Sequence, residues 1–379
     1  MDIFDIMALV GGLSLFLFGM NIMGQALERR AGKGLKSLLG RLTGSKMGGI
    51  TTGIGVTMVT QSSSATTVMI VGFVNSGIIT LSQAINVIIG ANVGTTSTAW
   101  VLSLNGISSD NVFMSLLKPT SFTPVFAFIG IIMYLFSKKS KTKDLGAIFL
   151  GFATLMSGMQ AMSGSVDGLS DIPQFTNLLV LFSNPIFGVI IGTVLTAAIQ
   201  SSAASIGILQ ALAITGQVTN GAAIPIVMGQ NIGTCITAIL SAIGSNKNGK
   251  RAAFAHLLFN VTGTVVWLAV FYVIRATLAP AILDRPVTLY GIAAIHTIFN
   301  VLSMIIIAPF SNLLEKAVVR ILPESKSEEF IPELDERIFN TPTVALEQCR
   351  LLTVDMAATA VESLGDSLGM LFEFDKDMA

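Results

Sequence analysis

Long parts of this sequence carry no charge. Residues 47–105 and 173–246 contain no Asp, Glu, Lys or Arg, and charged residues make up 12% of the chain against 52% hydrophobic ones. A soluble domain is about a quarter charged, so a soluble protein is excluded and these stretches must lie in or against lipid. Cysteine is scarce: Cys235 falls in an apolar run and Cys349 in a polar tail, which implies no disulfide framework. The two histidines, His256 and His296, are too few for a usual zinc site. No Walker-type loop is present, and the one G-x-S-x-G match, at 365–369, lies in the polar tail away from the apolar runs. The start, "MDIFDIMALV", has Asp2 and Asp5 but no basic residue, unlike the positive n-region of a cleavable signal. Residues 3–24 therefore read as a retained first helix.

Apolar runs of crossing length fall near 3–24, 78–102, 120–137, 145–163, 219–243, 252–275 and 289–309, about seven transmembrane helices. Two other stretches, 48–76 and 185–216, are too long for one crossing and too short for two. Each has a polar phrase at its middle, "QSSSATT" or "QSSAASI", and reads as a re-entrant hairpin, which is tolerated where protein or water surrounds the tip. Basic residues cluster at 28–46, in "SKKSKTKD" (137–144) and in "NKNGKR" (246–251). The rule that short cytoplasmic loops are basic puts all three inside, and the two hairpins then enter from opposite sides. The expected fold is an all-α integral membrane protein, an inverted-topology repeat with two re-entrant hairpins, multi-pass in the inner membrane with a cytoplasmic C-terminus.

The repeat is gapless. An offset of 139 positions carries Gln61 to Gln200, and also Gly53 to Gly192, Thr57 to Thr196, Gly77 to Gly216, Gly90 to Gly229, Asn92 to Asn231, Thr95 to Thr234 and Thr98 to Thr237. The expected division is a first repeat over 1–144, a second over 145–275, a final transmembrane helix in 276–310 and a cytoplasmic amphipathic tail over 311–379. Transporters built this way place their sites near the midplane.

Each half offers a Gln-Ser-Ser turn and, 31 positions after the Gln, an Asn within "GANVGTTSTA" or "GQNIGTCITA". A hairpin tip presents the N–H groups of its second helix, which favour an anion. Hydroxyl and amide donors without a fixed cation suit a tetrahedral oxyanion whose missing positive charge comes from a coupled ion. The repeat spans lack carboxylates, which argues against a divalent ion and a proton relay. A monovalent cation held by carbonyl, hydroxyl and amide oxygens remains. The paired glycines suggest that the crossing helix breaks mid-span. Small hydroxyl residues are often only packing glue, and His256 and His296, four residues before Asn260 and Asn300, read as interhelical hydrogen bonds ahead of a relay.

The words "TMVTQSSSATT" (57–67), "GANVGTT" (90–96), "TAAIQSSAAS" (196–205) and "GQNIGT" (229–234) resemble the type II sodium–phosphate cotransporter family in its bacterial branch, over roughly residues 5–310. The resemblance implies a sodium-dependent symporter that imports inorganic phosphate by alternating access, and no enzyme. It puts Gln61, Ser62, Ser63, Ser64, Gln200, Ser201 and Ser202 at phosphate. Thr57, Gln61, Asn92, Thr95, Thr196, Gln200, Asn231 and Thr234 become candidates for sodium, the co-transported cofactor. Position 203 is Ala where the first repeat has Ser64, so a third serine role does not carry across. After Pro323 the charged segment, with a helix start at Thr341–Pro342, resembles the entry to a PhoU-like domain.

The expected partners are phosphate, sodium and the lipid bilayer, with a homo-oligomer and a cytoplasmic regulator reached through the tail as candidates, and no nucleic acid. Two rivals stay open: the same fold carrying another small oxyanion or carboxylate, and a membrane phosphate sensor. A serine hydrolase is weaker, because no His and acid pair accompanies the serines.

Overall fold

The structure is a computed structural model that describes residues 3–42, 44–107, 118–166, 184–278, 281–323 and 342–369. The described residues form α-helices joined by short turns, with no strand among them. In chain order these are α1 (Ile3–Leu42), α2 (Lys46–Thr60), α3 (Ser63–Asn75), α4 (Leu81–Ser103), α5 (Pro119–Phe136), α6 (Ser140–Val166), α7 (Pro185–Ile199), α8 (Ser202–Ala213), α9 (Asn220–Ser241), α10 (Lys247–Thr277), α11 (Leu289–Ile307), α12 (Ser311–Ile321) and α13 (Pro342–Gly369). Residues 108–117 and 167–183 lie outside the described residues, as do 324–341 of the tail with its expected helix-start residue Thr341.

Six described segments are long and apolar enough to cross a membrane: Ile3–Ala31, Leu81–Gly106, Ser140–Val166, Asn220–Ser241, Lys247–Thr277 and Leu289–Ile321. The seventh expected crossing, at 120–137, is α5, whose apolar stretch Ser121–Phe136 is shorter than the other six. The basic stretch after residue 28, expected as a loop, is instead helical through Leu42. Its Leu, Lys and Arg are strong helix formers, and its three glycines weaken the helix without the break that a proline would impose.

The stretches at 48–76 and 185–216 fold as helix–turn–helix units, α2–α3 and α7–α8. Both turn at a left-handed glutamine, Gln61 at φ 54° and Gln200 at φ 58°, the only non-glycine residues at positive φ among those described. An extended serine follows, Ser62 or Ser201, whose Oγ accepts from the N–H of Ala65 or Ala204 and caps the second helix. Each unit leaves its second helix through a glycine at φ 71°, Gly77 or Gly216.

Glycines set how closely each unit packs. A Cβ on Gly53 would stand 2.0 Å from the Val87 carbonyl oxygen, and one on Gly192 would stand 2.1 Å from that of Ile226. On the facing helices, Gly90 and Gly229 would meet the oxygens of Ile50 and Val189, each at 2.0 Å. Thus α2 lies backbone to backbone on α4, and α7 on α9, in the same register.

The same offset appears between α1 and α6. A Cβ on Gly12 would meet the Met162 nitrogen at 2.8 Å, and one on Gly151 the Met23 nitrogen at 2.7 Å. Gly19 would meet the Leu155 nitrogen and Gly158 the Phe16 nitrogen, each at 2.3 Å. The contacts are exchanged between the helices and run in opposite order along them. Two apolar cores flank this frame. One joins Ile70 and Phe73 of α3 to Ile88 of α4 and Phe259 of α10, and the other joins Phe16 to Met156 and Met159 of α6 and Leu209 of α8.

Candidate functional site

The turns of the two units meet. A cavity of about 40 Å³ is lined by Gln61, Ser62, Ser63 and Ser64 from the first, by Gln200, Ser201, Ser202 and Ala203 from the second, and by Met20, Thr95 and Thr98. All seven sequence-derived phosphate candidates therefore share one wall, and no lining residue is charged. The volume admits a few water-sized positions and lies far below the several hundred Å³ of an organic-ligand pocket.

Local chemistry fixes what the lining can offer. The Oγ atoms of Ser62 and Ser201 each accept a helix N–H, at 3.1 and 3.2 Å, which leaves the hydroxyl hydrogens to donate elsewhere. The first N–H groups of a helix have no partner inside it, and the residues at those positions are Ser63 and Ser64 in α3, Ser202 and Ala203 in α8. Alanine at 203 removes a hydroxyl but keeps the main-chain N–H. The cavity is thus faced by two helix N-termini and several neutral donors, a combination that favours an anion.

The sodium candidates are divided. Gln61, Thr95 and Gln200 line the cavity, whereas Thr57, Asn92, Thr196, Asn231 and Thr234 do not. Thr57 Oγ1 donates to Thr66 Oγ1 at 3.1 Å and Thr196 Oγ1 to Ser205 Oγ at 2.8 Å, tying each first arm to its second. Thr95 and Thr234 donate to the carbonyls of Ala91 and Gln230, and Asn92 and Asn231 to those of Ile88 and Val227, four residues back in each case.

The expected mid-span break is not there. Helices α4 and α9 run unbroken through both glycine–asparagine motifs. Their glycines serve contact: a Cβ on Gly94 or Gly233 would press on the Cβ of Thr57 or Thr196, at 2.8 and 2.7 Å. The carbonyls expected to be free are engaged in the helix.

His256 lies within 3.3 Å of Asn92 Oδ1, which also accepts from Asn260 Nδ2 at 3.2 Å. This is an interhelical bond between α10 and α4. Asn300 Nδ2 donates to the His296 carbonyl in its own helix. Cys235 and Cys349 are free thiols.

One contributor was missed. Thr98 lines the cavity and its Oγ1 donates to Gln61 Oε1 at 3.1 Å. Its signal was its place in the repeat opposite Thr237, but on sequence alone it is one of several threonines on α4. Met20, from the first helix, carried no signal.

Crossing-length helices around a neutral, donor-lined cavity are the arrangement of a multi-pass membrane protein. The chain belongs to the Na+/Pi-cotransporter family, which it matches over residues 15–164 and 172–303. It is 26% identical over 373 residues to YjbB of Escherichia coli (strain K12), whose name proposes inorganic phosphate export; the match covers 96% of this chain and 64% of YjbB. It is 30% identical over 311 residues to the uncharacterized YqeW of Bacillus subtilis, covering 81% of this chain and 95% of YqeW. It is 36% identical over 122 residues to the human sodium-dependent phosphate transport protein 2B, covering 31% of this chain and 17% of that one. The chain thus spans less than two thirds of the length of YjbB. No solved structure matches it.

Proposed function

We propose that the protein is a sodium-coupled transporter of inorganic phosphate that works by alternating access, with phosphate held between the two Gln-Ser-Ser turns. The observation that carries this reading is the single small cavity lined by both turns and by no charged residue. Phosphate meets the hydroxyls of Ser62, Ser63, Ser64, Ser201 and Ser202, the amides of Gln61 and Gln200, and the helix N–H groups behind them. A neutral cavity holds an anion poorly alone, so a cation entering with it makes the two binding events interdependent. Sodium, drawn to the oxygens of Thr57, Gln61, Asn92, Thr95, Thr196, Gln200, Asn231 and Thr234, is that cation, and Thr95 and the two glutamines are its nearest ligands to the cavity. The threonine hydroxyls and asparagine amides away from the cavity use their hydrogens as donors, which leaves oxygen lone pairs for a cation, except that Asn92 Oδ1 already accepts from its neighbours on α10.

In this reading α2–α3 and α7–α8 are re-entrant hairpins of an inverted repeat. Their arms have 15, 13, 15 and 12 residues, about 18–22 Å at 1.5 Å per residue, short of the ~30 Å hydrocarbon core. The exchanged contacts between α1 and α6 support opposite orientation of the halves, because a two-fold axis across antiparallel helices gives that pattern. The basic stretches at 28–46, 137–144 and 246–251 support a cytoplasmic C-terminal tail.

Proteoliposomes loaded or bathed with radiolabelled phosphate test the proposal under sodium, potassium or proton gradients of either direction. Concentrative flux that follows the sodium gradient is expected, inward where sodium runs inward. The export named for YjbB makes the outward arm informative: outward flux independent of sodium would replace symport by export. No phosphate flux in either direction would sink the reading.

A further inference from the structure

The cavity between the turns is neutral, but elsewhere a fixed cation meets an apolar hollow. A groove of about 470 Å³ runs between α1, α5 and α6. Its walls include Phe18, Ile22, Ile131, Leu135 and Leu150, and at one end sits Arg29. Phe18 and Leu135 are 59% and 61% exposed, on the outer surface of apolar helices. From Phe18 to Arg29 the helix rises about 16 Å, roughly half the ~30 Å hydrocarbon thickness, the depth of one leaflet.

The arginine is held in place and is not used up. Its Nε donates to Asp144 Oδ1 at 2.9 Å, with Asp144 only 12% exposed and Arg29 53%. The two terminal nitrogens of the guanidinium make no hydrogen bond among the described residues. Next to it Arg30 Nη1 donates to the Lys141 carbonyl at 3.0 Å, and four lysines stand between 138 and 143. A guanidinium anchored through Nε leaves an open fork, the geometry that takes a phosphodiester in two contacts. At the repeat offset the residue is Gly168, so the second half carries no matching arginine.

We propose that this groove binds one anionic phospholipid, with an acyl chain along the apolar walls and the headgroup phosphate on Arg29. The walls are mainly apolar, with Gln25, Tyr134 and Thr154 the polar side chains among them, which favours an acyl chain over a bare anion, and the basic rim favours an anionic over a zwitterionic headgroup. The site is independent of the transport cavity.

Native mass spectrometry of the whole purified chain, titrated with phosphatidylglycerol or phosphatidylcholine of identical acyl chains, tests it. One phosphatidylglycerol is expected to be retained about tenfold more strongly than phosphatidylcholine, the scale of one charge-assisted contact. Arg29→Ala removes that preference. Ile22→Trp, which fills the groove and keeps the arginine, weakens retention of both lipids. Arg29→Lys keeps a cation beside Asp144 and loses the fork, so it retains only part of the preference and keeps the test readable should the alanine variant fail to fold. Equal retention of the two lipids by the unaltered chain, or a preference that survives Arg29→Ala, overturns the proposal. Displacement of phosphatidylglycerol by inorganic phosphate overturns it too, by making the fork a free-anion site.

Discussion

At the first turn Gln61 is tied on several sides: its Nε2 donates to the Met58 carbonyl and, at 3.5 Å, to Ser97 Oγ, and its Oε1 accepts from Thr98 Oγ1. At the second turn Gln200 is exposed and makes no side-chain hydrogen bond among the described residues. The backbones of the two turns agree within a few degrees, and the difference arises because the positions matching Ser97 and Thr98 are Ile236 and Thr237, and Thr237 donates to the Thr234 carbonyl instead. A duplicated backbone therefore does not give a duplicated site. One amide is held by its neighbours, and the other makes no side-chain hydrogen bond among the described residues.

The largest expected effect tests what the halves share. Gly53→Ala and Gly192→Ala each force a methyl into a carbonyl oxygen, and each should cost about 3 kcal/mol, read as a fall in the midpoint of thermal unfolding of the purified protein. A tolerated change at either position would break the equivalence. Asn92→Ala should cost about 2 kcal/mol by stranding His256 and Asn260, whereas Asn231→Ala, which gives up a bond to its own helix, should cost about 1 kcal/mol.

The turns themselves should then diverge. Gln200→Ala should raise the KM for phosphate uptake about tenfold with unfolding unchanged, while Gln61→Ala should impair uptake and also lower the unfolding midpoint. Identical behaviour in both assays would contradict the unequal turns. Smallest, Thr98→Val should raise KM a few-fold, roughly the worth of one neutral hydrogen bond, and Thr237→Val should leave it unchanged.

Much of this was legible in the sequence because it rests on spacing. The offset between Gln61 and Gln200 located both turns, and the polar phrases inside uncharged stretches located their apices. The state of α4 and α9 was not legible. A Gly-Asn-x-Gly run reads equally as a break or as a close contact, and only the carbonyls of Ile50 and Val189 across the interface decide it. Likewise Asn92 offered oxygen to a cation on sequence alone, and its engagement by His256 and Asn260 depends on how α10 packs against α4. The inequality of the two glutamines escaped for a similar reason, since it arises from neighbours 36 and 37 positions along the chain.

The left-handed glutamines carry a further consequence. At φ 54° and 58° an L side chain costs about 1 kcal/mol that glycine would not, so at both apices the residue best for the backbone is not the residue present. Gln200→Gly would relieve the main chain and remove the amide in one step, giving a protein harder to unfold and poorer at binding its solute. Durability and the proposed binding of solute pull in opposite directions at these two residues, and selection for stability alone would erode the turns first.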